Sequence, residues 1–74
     1  MKRQWSDMKY DRESERWVVV LGGREHGLHC GESFGLSLDE ISIPCRLELD
    51  QQWYVVMPGA RFNLRARDTY KVEI

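Results

Sequence analysis

Long apolar runs are missing from this sequence. Nowhere do about 18 consecutive residues stay apolar, so no membrane-spanning helix is expected. The first residues, Met-Lys-Arg-Gln-Trp-Ser-Asp-Met, are basic but no apolar stretch follows them, which argues against an ordinary secretory signal. A formal net charge of −1 gives no global attraction to nucleic acid or to an acidic membrane surface. We therefore expect a cytoplasmic protein that does not associate with membranes.

Cysteine is scarce, with only Cys30 and Cys45 in 74 residues. A cytoplasmic location predicts that both thiols stay reduced. The alternative is a disulfide between them, which would close a loop of about 15 residues and stabilise the fold by roughly 3 kcal/mol.

No long segment has the apolar period of an amphipathic helix, and strict alternation takes its place. In residues 41–49, every second side chain is apolar and the others are polar or proline. Alternate side chains of a strand point to opposite faces, so the pattern predicts a half-buried strand. Other strands are expected at residues 5–10, 17–21, 24–30, 33–38, 53–57, 61–65 and 69–74.

Turn residues separate these segments. Gly22-Gly23 and Pro58-Gly59 have the backbone preferences of tight hairpins. Asp39-Glu40 lacks glycine, and we predict a hairpin there, with a single helical turn capped by Ser37 as the alternative.

Two residues indicate how the central strands are placed. Gly35, in the middle of a strand, predicts a sharp bend or a close backbone approach. Pro44 cannot donate a hydrogen bond to a neighbouring strand, so its part of the strand is expected at an edge or a bulge.

The spacing of the strands predicts one all-β domain over residues 1–74. Six to eight short antiparallel strands at spacings near ten residues are typical of a small barrel or sandwich. We favour a partly closed barrel or roll of about the size of an SH3 domain, because closure removes strand edges that promote aggregation.

Two of the predicted strands are apolar on both faces. Val18 and Val20 lie opposite the Trp17 face, and Tyr54 and Val56 lie opposite the Trp53 face. A small barrel has one interior, so the second face needs cover from another strand, the N-terminal segment or a second subunit. These four side chains are therefore a predicted interaction surface.

Basic side chains concentrate near the C-terminus, where Asp68 is the one acid within residues 61–71. Small barrels bind single strands with basic grooves and stacked aromatic rings, so nucleic-acid binding is a second hypothesis. A solvated face with bases paired to acids is the plainer interpretation. The candidate residues are Arg46, Arg61, Arg65, Arg67 and Lys71.

Four side chains are of the types that bind zinc: His26, His29, Cys30 and Cys45. On a strand, His29 and Cys30 point to opposite faces, and His26 lies about 13 Å from Cys30. Their spacing also lacks the short pairs of structural zinc sites. We expect His26, Leu28 and Cys30 to face inward and the thiols to pack as small apolar groups. A Cys–His nucleophile pair is disfavoured by the same geometry.

Several segments together resemble a family of short bacterial proteins of unknown function, chiefly from Firmicutes. They are Leu28-His-Cys-Gly-Glu32, Pro44-Cys-Arg-Leu-Glu48, Trp53-Tyr-Val-Val56, Arg61-Phe-Asn-Leu-Arg65, and an opening with Tyr10, Asp11, Arg16 and Trp17. The resemblance covers residues 8–74 and implies a bacterial, cytoplasmic domain that stands alone. It supplies no catalytic residue. Residues 1–7 lie outside it and are expected to be loosely ordered.

The function expected from these observations is a non-enzymatic binding module without a cofactor. Its predicted partner is another protein or a second copy of the chain. Nucleic-acid binding through the basic residues is the alternative, and zinc binding is third.

Overall fold

The computed structural model describes residues 5–74, which form eight strands joined by short connections and contain no helix in that range. The predicted all-β class is confirmed, and the helical turn considered at residues 37–40 is wrong. The strands are β1 (Ser6–Asp11), β2 (Arg16–Leu21), β3 (Arg24–Gly27), β4 (Ser33–Leu38), β5 (Ile41–Leu49), β6 (Trp53–Met57), β7 (Ala60–Asn63) and β8 (Tyr70–Glu73).

All eight strands belong to one antiparallel sheet in the order β3-β2-β1-β8-β4-β5-β6-β7. β3 and β7 are its two edges, so the sheet is not closed into a barrel, and the expected barrel is corrected to an open sheet. Each edge strand has only four residues, all exposed. Short edges that carry charges, such as Arg24 and Glu25 on β3, limit edge-to-edge pairing without closure.

One face of the sheet carries the core. Alternate residues of β1, β2, β4, β5, β6 and β8 point to it, and Leu28 and Leu64 join them from just beyond β3 and β7. Fully burying a side chain such as Leu or Phe contributes roughly 1.5–3 kcal/mol, so this cluster is the main source of stability. Its members are Met8, Trp17, Val19, Leu28, Phe34, Leu36, Cys45, Leu47, Val55, Leu64 and Val72.

The inward set predicted for residues 24–30 is only partly correct. Leu28 is buried and its N–H donates to the carbonyl of Trp17 at 2.8 Å. His26 and Cys30 are exposed instead. β3 is an edge strand that ends at Gly27, so the alternation does not extend to Cys30.

The tight turns follow the prediction. Gly22 and Gly23 have positive φ angles of 57° and 80°, and they join β2 to β3. Asp39 and Glu40 also have positive φ angles, 52° and 66°, and they join β4 to β5 as a two-residue hairpin. A residue with a Cβ pays roughly 1–2 kcal/mol in this left-handed conformation.

Pro44 lies where β5 loses one of its neighbours. It pairs with Gly35 of β4, but the ladder between β5 and β6 begins only at Arg46. The N–H of Leu47 donates to Glu32 and its C=O accepts from Gly31, so Leu47 bonds to the segment before β4. Successive residues direct their backbone groups to opposite sides of a strand, so the even-numbered residues of β5, including Pro44, direct theirs toward β6. Pro44 therefore lacks a donor at the point where that ladder stops, and its predicted edge position is confirmed.

A side chain occupies the space over Gly35: a Cβ placed on it would lie 2.0 Å from Ser42 Oγ. The close neighbour is thus a hydroxyl and not the backbone approach that was predicted. At the other end of the chain, residues 1–4 of the segment expected to be loose lie outside the described residues, while Ser6 and Asp7 belong to β1. Residues 5–74 include no membrane-spanning helix. The cytoplasmic location stays a prediction.

Candidate functional site

The β4–β5 hairpin extends past its neighbours on both sides. β4 pairs with β8 only at Gly35 and Leu36. β5 pairs with β6 only over its last four residues, Arg46 to Leu49. Within residues 37–45, the residues of β4 therefore pair only with β5, and those of β5 pair only with β4. A two-stranded projection of this kind has two accessible faces and little support from the rest of the sheet.

The inner face of this projection exposes apolar side chains. Leu38 and Ile41 lie directly opposite each other and are 43% and 58% exposed. The alternation that defines the core continues into them, but no other strand reaches far enough to cover them. The turn beside them is acidic, with Asp39 and Glu40 both exposed.

The outer face of the hairpin forms one side of an open groove of about 650 Å³. Gly35 and Pro44, which are paired across β4 and β5, both line it. Val56 and Pro58 line it from β6 and the turn that follows β6. The lining is mostly apolar, with Arg46 among its charged members. The Ser42 hydroxyl lies over Gly35, 2.0 Å from where a Cβ would be, so a small polar group forms the surface of the groove at this point.

The predicted interaction surface is divided by the structure. Val18 is only 5% exposed, and its cover comes from within the chain. Lys9 of β1 and Glu25 of β3 form an ion pair (Nζ–Oε2, 3.4 Å) that crosses the outer face of β2 between Val18 and Val20. The surface expected on β2 is therefore reduced to Val20, which is half-buried.

The other half of that predicted surface lies on β6. Val56 lines the outer groove, where the hairpin approaches it. Tyr54 is covered in part by Arg61, whose guanidinium carbon lies 3.8 Å from the centroid of the tyrosine ring. Of the four predicted residues, Val56 is thus the one that lines the groove beside the β4–β5 hairpin.

The five basic residues do not form one face. Arg46 Nε donates to Glu48 Oε2 at 2.6 Å, and Lys71 forms an ion pair with Asp7 on β1. Arg61 and Arg65 line a common hollow beside β7. Arg67 is exposed in the connection to β8 and lines neither that hollow nor the groove.

The four candidate zinc ligands are not gathered. No three metal-binding side chains cluster anywhere in residues 5–74. Both cysteines are free, as predicted, with Cys30 exposed and Cys45 buried. Burial raises the pKa of the Cys45 thiol to about 11, so this group is protonated and packs as a small apolar side chain. Glu32 accepts a hydrogen bond from the backbone N–H of His29 at 2.6 Å and so stabilises the turn before β4.

Comparison with known proteins places the chain in a family. The sequence model of a domain of unknown function, DUF5348, matches residues 6–74. The chain belongs to the DUF5348 family. The crystal structure of a protein from Ruminococcus gnavus is similar to this DUF5348 domain, with 27% identity and a TM-score of 0.78. The match covers 96% of this chain and 100% of that chain.

These matches confirm the predicted resemblance to Firmicutes proteins of unknown function. No curated protein matches the DUF5348 chain. The family description assigns no activity, so the surface features described above are the basis for a functional proposal. Sequence reasoning missed the projection of the β4–β5 hairpin, although Gly35 and Pro44 were signals of it.

Proposed function

We propose that this domain is a non-enzymatic protein-binding module and that it contacts its partner through the β4–β5 hairpin. The observation that carries the proposal is the exposure of Leu38 and Ile41 as an opposed pair on a hairpin that extends beyond the sheet. Single exposed apolar residues are common on protein surfaces. A pair at the end of a projecting element can enter a partner's pocket without a clash from the rest of the domain.

The conformation of the turn supports the same site. Asp39 and Glu40 both adopt left-handed backbone angles that glycine adopts at little cost. A two-residue hairpin turn of this type requires positive φ at both central residues, so these angles fix where the turn places its side chains. The acidic turn therefore adjoins Leu38 and Ile41 at a defined position.

The charge of the turn defines the chemistry of the partner. No ion pair of the described residues involves Asp39 or Glu40, so both carboxylates are available to a ligand. Complementary charge favours a protein surface with an apolar pocket flanked by lysine or arginine. The apolar groove behind the hairpin, with Pro44 and Val56, provides a second contact for a partner that encloses the projection.

The environment of Cys45 argues against this residue as a catalytic nucleophile. A cysteine attacks as its thiolate, and burial keeps the thiol of Cys45 protonated at neutral pH. Its environment therefore suits packing and not nucleophilic chemistry.

The test compares the wild-type domain with a Leu38→Ser/Ile41→Ser variant in capture from a lysate of the organism's own cells. Leu49→Ser is the matched control, because Leu49 lies on the same strand and is 47% exposed at the other end. Candidates that the control retains and the double variant loses are then purified, and their affinity is measured directly. The proposal predicts at least one such protein, bound about tenfold or more tightly by the wild type than by the double variant.

Two further measurements decide between partners. A partner that meets the acidic turn should bind less tightly to an Asp39→Asn/Glu40→Gln variant and at high salt. Sedimentation of the purified domain over a range of concentrations tests for a second copy as the partner. If neither a captured protein nor self-association distinguishes the double variant from the Leu49 control, the hairpin is not the binding site.

A further inference from the structure

A second feature, separate from the hairpin, lies at the β7 edge of the sheet. A hollow of about 540 Å³ runs beside this strand, and most of its lining is polar. Arg61 and Arg65 provide the charge, and Gln52 and Asn63 provide amide groups. Phe62 lines the same hollow and is 38% exposed.

Aromatic neighbours position the side chain of Arg61 and the backbone of Arg65. The guanidinium of Arg61 packs over the ring of Tyr54, 3.8 Å from its centroid, which orients the planar group by cation–π attraction. The backbone N–H of Arg65 donates to the hydroxyl of Tyr70 at 2.9 Å, which fixes the chain as it leaves β7. The first contact reduces the freedom that the Arg61 side chain would lose on binding a ligand, and the second fixes the position from which the Arg65 side chain extends.

Neither arginine is neutralised by an acid. Arg46 and Lys71 form ion pairs, but no carboxylate of the described residues pairs with Arg61 or Arg65. Because the chain as a whole has a net charge of −1, the positive potential here is local.

Backbone groups of β7 add to the site. The N–H of Leu64 donates to the carbonyl of Trp53, so even-numbered residues of this strand direct their backbone groups toward β6. The odd-numbered residues, Arg61 and Asn63, therefore direct theirs to the free edge. Their N–H groups and the two guanidinium groups are all hydrogen-bond donors to an anion.

From this combination we infer that the β7 edge binds single-stranded nucleic acid. Arg61 and Arg65 bind phosphate oxygens, for which the guanidinium fork is well suited. A base stacks on the open face of the Arg61 guanidinium or, from the opposite face of the edge strand, on the exposed part of Phe62, whose ring packs edge-on against Tyr70. The amides of Gln52 and Asn63 hydrogen-bond to base edges. An acidic peptide would use the charges and the amides but offer no flat ring to stack on Arg61 or Phe62, so nucleic acid is the better match.

The test measures fluorescence anisotropy of a labelled single strand of about eight nucleotides, a length within the range of small single-strand-binding domains. Arg61→Gln/Arg65→Gln should weaken binding about tenfold or more, because neither glutamine can form a charge-assisted hydrogen bond to phosphate. Arg12→Gln/Arg24→Gln is the matched control, since it removes the same charge from exposed positions in the β1–β2 turn and on β3. The control should change affinity by less than about twofold, because these charges lie away from the hollow.

Salt and competition complete the test. The slope of the logarithm of the binding constant against the logarithm of salt concentration should be shallower by roughly 1.4 in the Arg61→Gln/Arg65→Gln variant. This corresponds to about 0.7 for each phosphate that the protein no longer neutralises. Phe62→Leu should weaken binding of the oligonucleotide more than binding of an abasic strand of equal length. The inference is overturned if the wild type does not bind, if the control pair weakens binding equally, or if an acidic peptide of equal charge competes as well as the strand does.

Discussion

Replacing Gly35 with alanine tests how closely β4 and β5 approach at the outer groove. An added Cβ would lie 2.0 Å from Ser42 Oγ, and 3.4 Å from the Cβ atoms of Ser42 and Glu73. The two longer distances are within ordinary contact, but the first requires the serine hydroxyl to move. The φ angle of Gly35 is not in the left-handed region, so the backbone itself accepts alanine.

Two opposing effects set the expected magnitude. Alanine is favoured over glycine inside a strand by about 0.5–1 kcal/mol. Crowding a packed site costs about 1–3 kcal/mol. We therefore expect Gly35→Ala to lower the free energy of unfolding by about 1 kcal/mol in the wild-type background.

The sign should change when the obstructing oxygen is removed. No hydrogen bond of the described residues involves the Ser42 hydroxyl, so Ser42→Ala alone should alter the free energy of unfolding by less than about 0.5 kcal/mol. In that background, Gly35→Ala should be neutral or should stabilise by up to about 1 kcal/mol. The two substitutions thus have a coupling energy of about 1–2 kcal/mol.

Urea unfolding of the four proteins, followed by tryptophan fluorescence, measures this coupling. The slope m should be the same in all four, so that midpoints report stability alone. If Gly35→Ala costs the same free energy with serine or alanine at position 42, the close approach is not to that hydroxyl and the expected coupling is refuted.

Three other substitutions or treatments have definite expected results. Iodoacetamide at neutral pH should label only Cys30 in the folded protein and both thiols in denaturant. The mass of the intact protein counts the labels, and rapid labelling of Cys45 in the folded protein would contradict its burial. The pKa of the Cys45 thiol is about 11 in the folded protein and near 9.0 in the unfolded chain, so the free energy of unfolding should fall as pH rises from 9 to 11. The slope should be at most about 1.4 kcal/mol per pH unit, and Cys45→Ala should lack this contribution. Glu40→Gly should raise the free energy of unfolding by up to about 1 kcal/mol because glycine relieves the left-handed strain, and a loss of stability would show that the Glu40 side chain contributes contacts.

Alternation in the sequence was enough to predict the face of most strands, but it did not predict depth of burial. Ile41 and Leu49 share a face with Cys45 and Leu47, as predicted, yet they are 58% and 47% exposed. For Ile41 the reason is that β5 begins five residues before its ladder with β6, whereas Leu49 is paired with Trp53 and lies beside the turn that ends that ladder. Period and face are local properties, whereas cover depends on how far the neighbouring strands extend.

The covering of Val18 could not have been predicted from local pattern. Apolar residues on both faces of β2 predict cover from another strand, the N-terminal segment or a second subunit. The cover of Val18 is intramolecular: the Lys9–Glu25 ion pair spans the face beside it, and the Arg16 side chain lies over Gly27, the partner of Val18 in β3. Long polar side chains bury apolar stems beneath their charged ends, so an ion pair across a strand can shield a valine.

The open sheet also depends on features that local pattern does not show. A closed barrel is one way to avoid free edges that promote aggregation. Here both edge strands are short instead, and Pro44 lies on β5 where the ladder to β6 stops. Which strands become neighbours, such as β1 and β8, depends on contacts between opposite ends of the chain, and no local signal specifies them.

The unequal strand lengths also determine how the hairpin can bind a partner. Where β5 extends past β6, its backbone is open on one side, and an added strand would be the simplest ligand. Pro44 has no N–H on that side, so Ser42 is left as the single donor between Ile41 and Arg46. A ladder with one donor gains little from main-chain hydrogen bonds. Recognition at the hairpin is therefore expected to depend on side chains, with Leu38 and Ile41 in a pocket of the partner and the acidic turn against its basic rim.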